Sequence, residues 1–262
     1  ARRQRSGVAV VSPEMAARAL KAGQALFDLL LPRVCSACDR LLDDSYRGLV
    51  CGACWTRAIA LPAPRCDRCG HPLLTPRCRW CDALPAFVRA GRSAFWFPGG
   101  SAAAIVHALK YRGWRGVAGE MADRMARLTW PEDVRDERTA LVPVPLAPAR
   151  ERERGFNQSD LLARSLSARW STPVWADVLV RARMTQTQTR LTPEDRRRNV
   201  SGAFAAPTKS RDRLRGAHIM LVDDVVTTGA TLCACASTLF EAGARIVSFV
   251  TFGRAPSAGD RA

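Results

Sequence analysis

Residues 219–232 read Ile-Met-Leu-Val-Asp-Asp-Val-Val-Thr-Thr-Gly-Ala-Thr-Leu, and this stretch limits the possible folds more tightly than any other. The apolar run 219–222 has the length of a strand buried on both faces. A helix-forming run, 232–241, follows. Between them lie Asp223, Asp224 and the small, hydroxyl-rich turn Thr227, Thr228, Gly229, Ala230 and Thr231. In an open α/β sheet, ligands sit at the C-terminal ends of the strands, where this sequence places its two carboxylates. Unpaired backbone N–H groups and the helix dipole favour an anion at the start of the following helix. Gly229 has no side chain and lets the backbone approach a phosphate closely. The threonines add hydroxyl donors, and the carboxylates suit sugar hydroxyls or a hard cation such as Mg²⁺. A ligand-free tight turn is the competing reading, but it needs neither the acid pair nor three threonines.

A second strand–loop–helix unit precedes the first. Leu141 to Pro145 reads as a short buried strand ending in prolines, which cannot donate to a central ladder. The helix 159–170 follows a basic loop containing Arg154, Gly155, Asn157 and Gln158. Arginine gives charge and bidentate geometry and glycine gives backbone approach, so this loop suits pyrophosphate; an exposed charged turn is the alternative. Upstream, 95–97 starts a strand, 101–110 reads as a helix running into Lys110 and Tyr111, and 117–130 reads as a further helix. Downstream, 174–180 reads as a strand and 245–252 as the last one. The polar connection 181–203, with Arg183, Thr185 and Gln188, is long for a compact domain and reads as a lid that excludes water on closure, with a solvated loop as the alternative. Cys233 and Cys235 read as small buried residues of the last helix.

Eight cysteines form four Cys-x-x-Cys pairs: Cys35/Cys38, Cys51/Cys54, Cys66/Cys69 and Cys78/Cys81, separated by 12, 11 and 8 residues. Few residues between them could build an apolar core, so metal binding has to supply much of the folding energy. Two consecutive zinc ribbons, each with four cysteine ligands, are the simplest arrangement. A crossed pairing of the knuckles, substitution of one ligand by His71, and disulfides remain open. Four protein ligands per ion leave no open position, which makes the zinc structural.

At 262 residues the chain allows one large or two modest domains. Its formal charge of +16 falls to about +12 if two Cys₄ sites each carry about −2. Such a basic chain attracts phosphate-rich partners, although arginines spread over the whole sequence also fit plain solvated faces. The most apolar segment, 15–31, contains Arg18, Lys21 and Asp28, so no membrane insertion is expected. The basic start, 1–5, is not followed by an apolar signal region, and the expected location is cytoplasmic. The expected layout is a disordered basic tail at 1–13, a helix at 14–32, a double zinc ribbon at 33–86, an α/β domain at 90–253 and a disordered tail at 254–262.

These motifs coincide in one family. The paired knuckles, Leu109-Lys110-Tyr111-Arg112-Gly113, Val142-Pro143-Val144-Pro145, Arg154-Gly155-Phe156-Asn157-Gln158, Arg183-x-Thr185-x-x-Gln188, Arg197-x-Asn199-Val200-x-Gly202-Ala203-Phe204 and the segment 219–232 together resemble the ComF family. The resemblance spans about 25–252. It implies a type I phosphoribosyltransferase-like fold, a mostly parallel sheet with flanking helices, preceded by a small N-terminal double zinc ribbon. It also implies binding of phosphoribosyl pyrophosphate (PRPP) with Mg²⁺, and a part in handling single-stranded DNA, alongside other DNA-uptake proteins, during natural transformation. An active phosphoribosyltransferase of nucleotide metabolism or salvage, with an unidentified acceptor, is the alternative, and no catalytic residue is legible. Trp55, Trp80 and Trp114 are candidates for stacking on bases, with core packing as the competing role. Arg152 and Arg154 crowd the pyrophosphate loop more than the family pattern does.

Overall fold

The computed structural model describes residues 32–73, 75–182 and 202–256. The expected basic tail 1–13, the helix 14–32 except Pro32, and the expected lid residues Arg183, Thr185 and Gln188 lie outside the described residues. Within them, a four-stranded sheet forms the centre. Its strands are β1 (Val88–Trp96), β2 (Arg138–Pro143), β5 (His218–Val226) and β6 (Ile246–Arg254). They lie in the order β1-β6-β5-β2, and every neighbouring pair is parallel. A two-residue antiparallel pair, β3 (Val180–Arg181) with β4 (Phe204–Ala205), stands apart.

Both faces of the sheet are covered, so its central strands are apolar almost throughout. Successive side chains alternate between the faces. Ile219 and Leu221 point into one core, together with Leu232, Cys235, Ala236 and Leu239. Those four belong to the helix Ala230–Glu241, which follows β5. Met220 and Val222 point into the opposite core, which is built on three other helices. These are Ala102–Tyr111, Val117–Ala126 and Gln158–Trp170.

The cysteine-rich segment does not stand off as a separate body. Cys69, Trp80 and Leu84 belong to the first core, and Cys35, Val50, Cys54 and Ala58 to the second. One ribbon therefore lies against each face. Between them the chain runs beside β1, where Ala60 bridges Phe95 and the Trp96 amide donates to the Ile59 carbonyl at 2.8 Å. On the far side of the sheet, Val174 bridges Leu141 of β2.

Several boundaries differ from the sequence reading. Phe95 and Trp96 end β1 rather than start it. The helix expected over 117–130 stops at Ala126, and a short helix, Glu132–Asp136, follows Pro131, whose ring starts a helix well and continues one badly. No continuous strand occupies 174–180; Val174 makes an isolated bridge, and only Val180 enters β3. The stretch 148–154, expected as loop, is a helix, Pro148–Arg154, with proline in its first turn and Gly155 closing it in the left-handed conformation, φ 76°. Arg254, expected as the first residue of a tail, ends β6 instead and is fully buried, and 257–262 lie outside the described residues.

Candidate functional site

β5 continues through both aspartates to Val226, and the turn delivers Gly229, at φ 78°, to the start of the next helix. That backbone conformation is one that glycine adopts freely. The turn and the acid pair line one cavity of about 310 Å³, which includes Asp223, Asp224 and all five residues from Thr227 to Thr231. Across it stand Lys110, Tyr111 and Gln158.

The carboxylates are held by side chains from two helices and by one backbone amide. Asp223 Oδ1 accepts from Ser159 Oγ at 2.8 Å and from the Asp224 amide at 2.9 Å. Asp224 is 3% exposed. It accepts from Gln158 Nε2 at 3.2 Å and pairs with the Lys110 ammonium. Burial, with the neighbouring Asp224 charge, pushes the Asp223 carboxyl up to about 7; the Ser159 hydroxyl and Lys110 pull the other way. A cation or a set of hydroxyl donors arriving here meets carboxylates that are poorly solvated and fixed in position.

The expected pyrophosphate loop is only partly at the cavity. Gln158 lines it, whereas Arg154, Gly155 and Asn157 are not among the lining residues. Asn157 is a helix cap: its Oδ1 accepts from the Ser159 amide at 2.9 Å, and its Nδ2 donates to the Val144 carbonyl at 3.0 Å. Arg154 bonds Gln158 and lies 5.1 Å over the Tyr111 ring. The arginines that do face the cavity are Arg150 and Arg181. Sequence reasoning singled out neither as a site residue, although Arg181 opens the segment 181–203 read as a lid and Arg150 opens the basic stretch before Gly155. Arg150 had a signal: Pro148 and Gly155 bracket a helix that turns its side chain inwards. Arg181 had a weaker one, its place at the head of the polar segment 181–203, and the β3–β4 pairing fixes its position.

The cysteines form two clusters, Cys35/Cys38/Cys51/Cys54 and Cys66/Cys69/Cys78/Cys81, with the sulfurs of each within 4.8 Å of one another. Consecutive ribbons are thus the arrangement present, and His71 packs against Trp96 at 5.9 Å instead. A tetrahedral Zn–S₄ centre has sulfurs about 3.8 Å apart. The first cluster shows 3.9 Å for Cys35–Cys54 and 3.8 Å for Cys38–Cys51, and the second shows 3.4 Å for Cys66–Cys81 and for Cys69–Cys78. Surroundings split the thiols: against burial, hydrogen bonds from the Cys51, Ala37 and Cys38 amides bring Cys35 down to about 7, whereas burial pushes Cys54 and Cys81 up to about 12. Both donor sets fit zinc.

Trp55 packs 6.2 Å from Phe95 and donates to Glu120 at 3.1 Å, and Trp80 is 9% exposed and 6.0 Å from Phe249. Trp114 is partly buried against the second core. These tryptophans pack, and the exposed ring beside the cavity is Tyr111. Cys235 is fully buried, as expected, and Cys233 is half-buried. Among the described residues no helix is long and apolar enough to cross a membrane.

Two family models match the chain: a double zinc ribbon domain over 26–85 and a phosphoribosyl transferase domain over 154–261. The DNA utilization protein YhgH of Salmonella typhimurium is 34% identical over 230 residues, covering 84% of this chain and 96% of that protein. The competence protein ComFC of Bacillus subtilis is 27% identical over 227 residues, covering 80% and 90%. Competence protein F of Haemophilus influenzae is 35% identical over 134 residues, covering 51% and 55%. A double zinc ribbon joined to a phosphoribosyl transferase domain, with similarity along 96% of YhgH and 90% of ComFC, makes this chain a member of the ComF family.

Proposed function

We propose that this protein binds PRPP in the cavity between β5 and Lys110. The observation that carries the reading is that an anion-accepting turn, a carboxylate pair, with Asp224 buried and Asp223 half-buried, and three basic side chains line one cavity. In this reading the 5-phosphate takes the hydroxyls and amides of 227–231, and Asp223 and Asp224 accept from the ribose hydroxyls. Lys110, Arg150 and Arg181 face the pyrophosphate. The carboxylates also fit Mg²⁺, which would supply charge neutralisation to the diphosphate. Lys110 is then released from Asp224 to the incoming anion, so ligand binding replaces an internal ion pair by an external one.

The basic surface beside the cavity supports a role in handling single-stranded DNA. Tyr111 is 66% exposed with Arg154 stacked on it, and Arg115 lies 4.8 Å over Phe156. The exposed Tyr111 ring and the half-buried Phe156 ring, each beside a guanidinium group, suit unstacked bases and a phosphate backbone. The relatives' names, DNA utilization protein and competence protein, agree with a DNA-linked role, and in this reading the protein acts in natural transformation with other DNA-uptake proteins on the cytoplasmic side. Catalytic transfer of the phosphoribosyl group to an acceptor in nucleotide metabolism is the second reading, favoured by the same carboxylate pair.

Titration calorimetry with Mg²⁺–PRPP tests the first claim: saturable binding, lost in Asp223→Ala, is expected, and its absence in the intact protein overturns it. Pyrophosphate release from PRPP with a panel of nucleobases and amines separates transferase from binding protein. Salt-dependent binding of a single-stranded oligonucleotide, weakened in Tyr111→Ala, tests the DNA surface.

A further inference from the structure

The second cysteine cluster reaches the anion turn through one side chain. Trp80 sits between the ligands Cys78 and Cys81, in the 3₁₀ turn Arg79–Ala83. Its ring lies directly against Gly229: a β-carbon at that glycine would come within 3.1 Å of Cζ2 and 3.2 Å of Cη2. The Arg254 guanidinium lies 4.3 Å over the same indole. Arg254 is fully buried, donates from Nη2 to the Cys69 carbonyl at 2.7 Å and from Nε to Ser93 Oγ at 3.3 Å. A Cys₄–zinc centre carries about −2 and so supplies a counter-charge for that guanidinium. Arg254 is also the register partner of Val226, the last residue of β5 before the turn. The half-buried Cys233, one turn into the helix, points its sulfur at the Ala83 carbonyl, 3.6 Å away. Cluster, indole, guanidinium and turn thus form one continuous stack.

We propose that Trp80 is a positioning residue for the anion turn, setting the height of the Gly229 backbone, and that metal in the second cluster holds Trp80 in place. Zinc here then governs phosphate affinity without touching the ligand. The amides at a helix start bind an anion well only when they converge on it, and a shift of the turn by a fraction of an ångström loses that convergence. The inference rests on the reading of 227–231 as a phosphate site.

The test uses the full chain loaded with zinc, with ribose 5-phosphate as the probe because it engages the turn. Trp80→Ala is expected to keep both zinc ions by metal analysis yet to bind ribose 5-phosphate about tenfold more weakly. Trp80→Phe, which keeps a ring on Gly229, is expected to recover most of that loss. In the ligand-free protein, amide chemical shifts of Gly229 and Ala230, corrected for the indole ring current that Trp80→Ala removes, should move while those of β2 do not. If Trp80→Ala does not fold, Trp80→Leu takes its place with the same readouts. Wild-type affinity with both metals bound and unmoved Gly229 shifts overturn the proposal. If the wild-type protein binds no ribose 5-phosphate, the phosphate reading fails instead, and the Gly229 shifts alone still decide whether Trp80 sets the turn.

Discussion

The two cysteine clusters share four thiol ligands and the Cys-x-x-Cys knuckle but support different walls of the same cavity. The first grips the helix Ala102–Tyr111 at both ends: Ser101 Oγ donates to the Cys54 carbonyl, and Arg112 donates to the Ser36 carbonyl at 3.1 Å and pairs with Asp39. That helix carries Lys110. The second lies on the opposite face of the sheet and reaches Gly229 through Trp80 and Arg254. The contacts also differ in kind. Both clusters send buried cysteines into a core, Cys35 and Cys54 from the first and Cys69 from the second, but the first reaches its helix through polar bonds to Ser101 and Arg112 and the second reaches its turn through an indole. Burial pushes the Cys69 thiol far up, with the Arg254 charge as an opposing influence, so this ligand depends on bound metal to stay ionised. A ribbon that looks like an appendage in sequence is here part of the binding-site scaffold on both sides.

The comparison breaks most sharply under ligand removal. Cys78→Ser is expected to lower ribose 5-phosphate affinity by about a hundredfold, because it frees the knuckle that holds Trp80. Cys38→Ser, in the exposed half of the first cluster, is expected to cost less than about threefold with that probe and more with PRPP, which also meets Lys110. Calorimetry with the two ligands and zinc analysis read both; equal losses in the two variants would erase the distinction. Gly229→Ala comes next. It combines a left-handed backbone, costing about 1–2 kcal/mol, with a methyl pressed onto Trp80, and ribose 5-phosphate affinity should fall about tenfold. Lys110→Met leaves Asp224 buried beside Gln158 without its cation. Chemical denaturation should show a loss of about 2 kcal/mol, below the full range for buried pairs because Lys110 is 21% exposed. The smallest effect is expected for Arg112→Ala: its partner Asp39 is 61% exposed, so stability should change by less than about 1 kcal/mol.

Most of the scaffold and half of the site were legible in the amino-acid order. The β5 unit was readable because its apolar run, acid pair and glycine are contiguous, and the turn chemistry is local. The knuckles were readable because a Cys-x-x-Cys pair is already a half-site; which halves join was not, since that depends on how the chain crosses the sheet. The basic wall was misjudged for a related reason. Arg154 looks poised for pyrophosphate in a loop, but the Pro148–Arg154 helix turns it towards Tyr111 and turns Arg150 inwards. Trp80 could not be distinguished from a base-stacking residue without seeing that Gly229, far along the chain, has no room beside it.

The passage of residues 59–61 along β1 has a consequence for handling the protein. β1 is an outermost strand, and an outermost strand offers a row of unsatisfied amides and carbonyls to any other chain. The inter-ribbon segment covers part of that row, through bonds between Ile59 and Trp96 and between Leu61 and Ala94. Stripping both metals therefore does more than loosen two knuckles: it uncovers a template for strand addition, and chelated protein should gather into aggregates while the metal-loaded form stays dispersed.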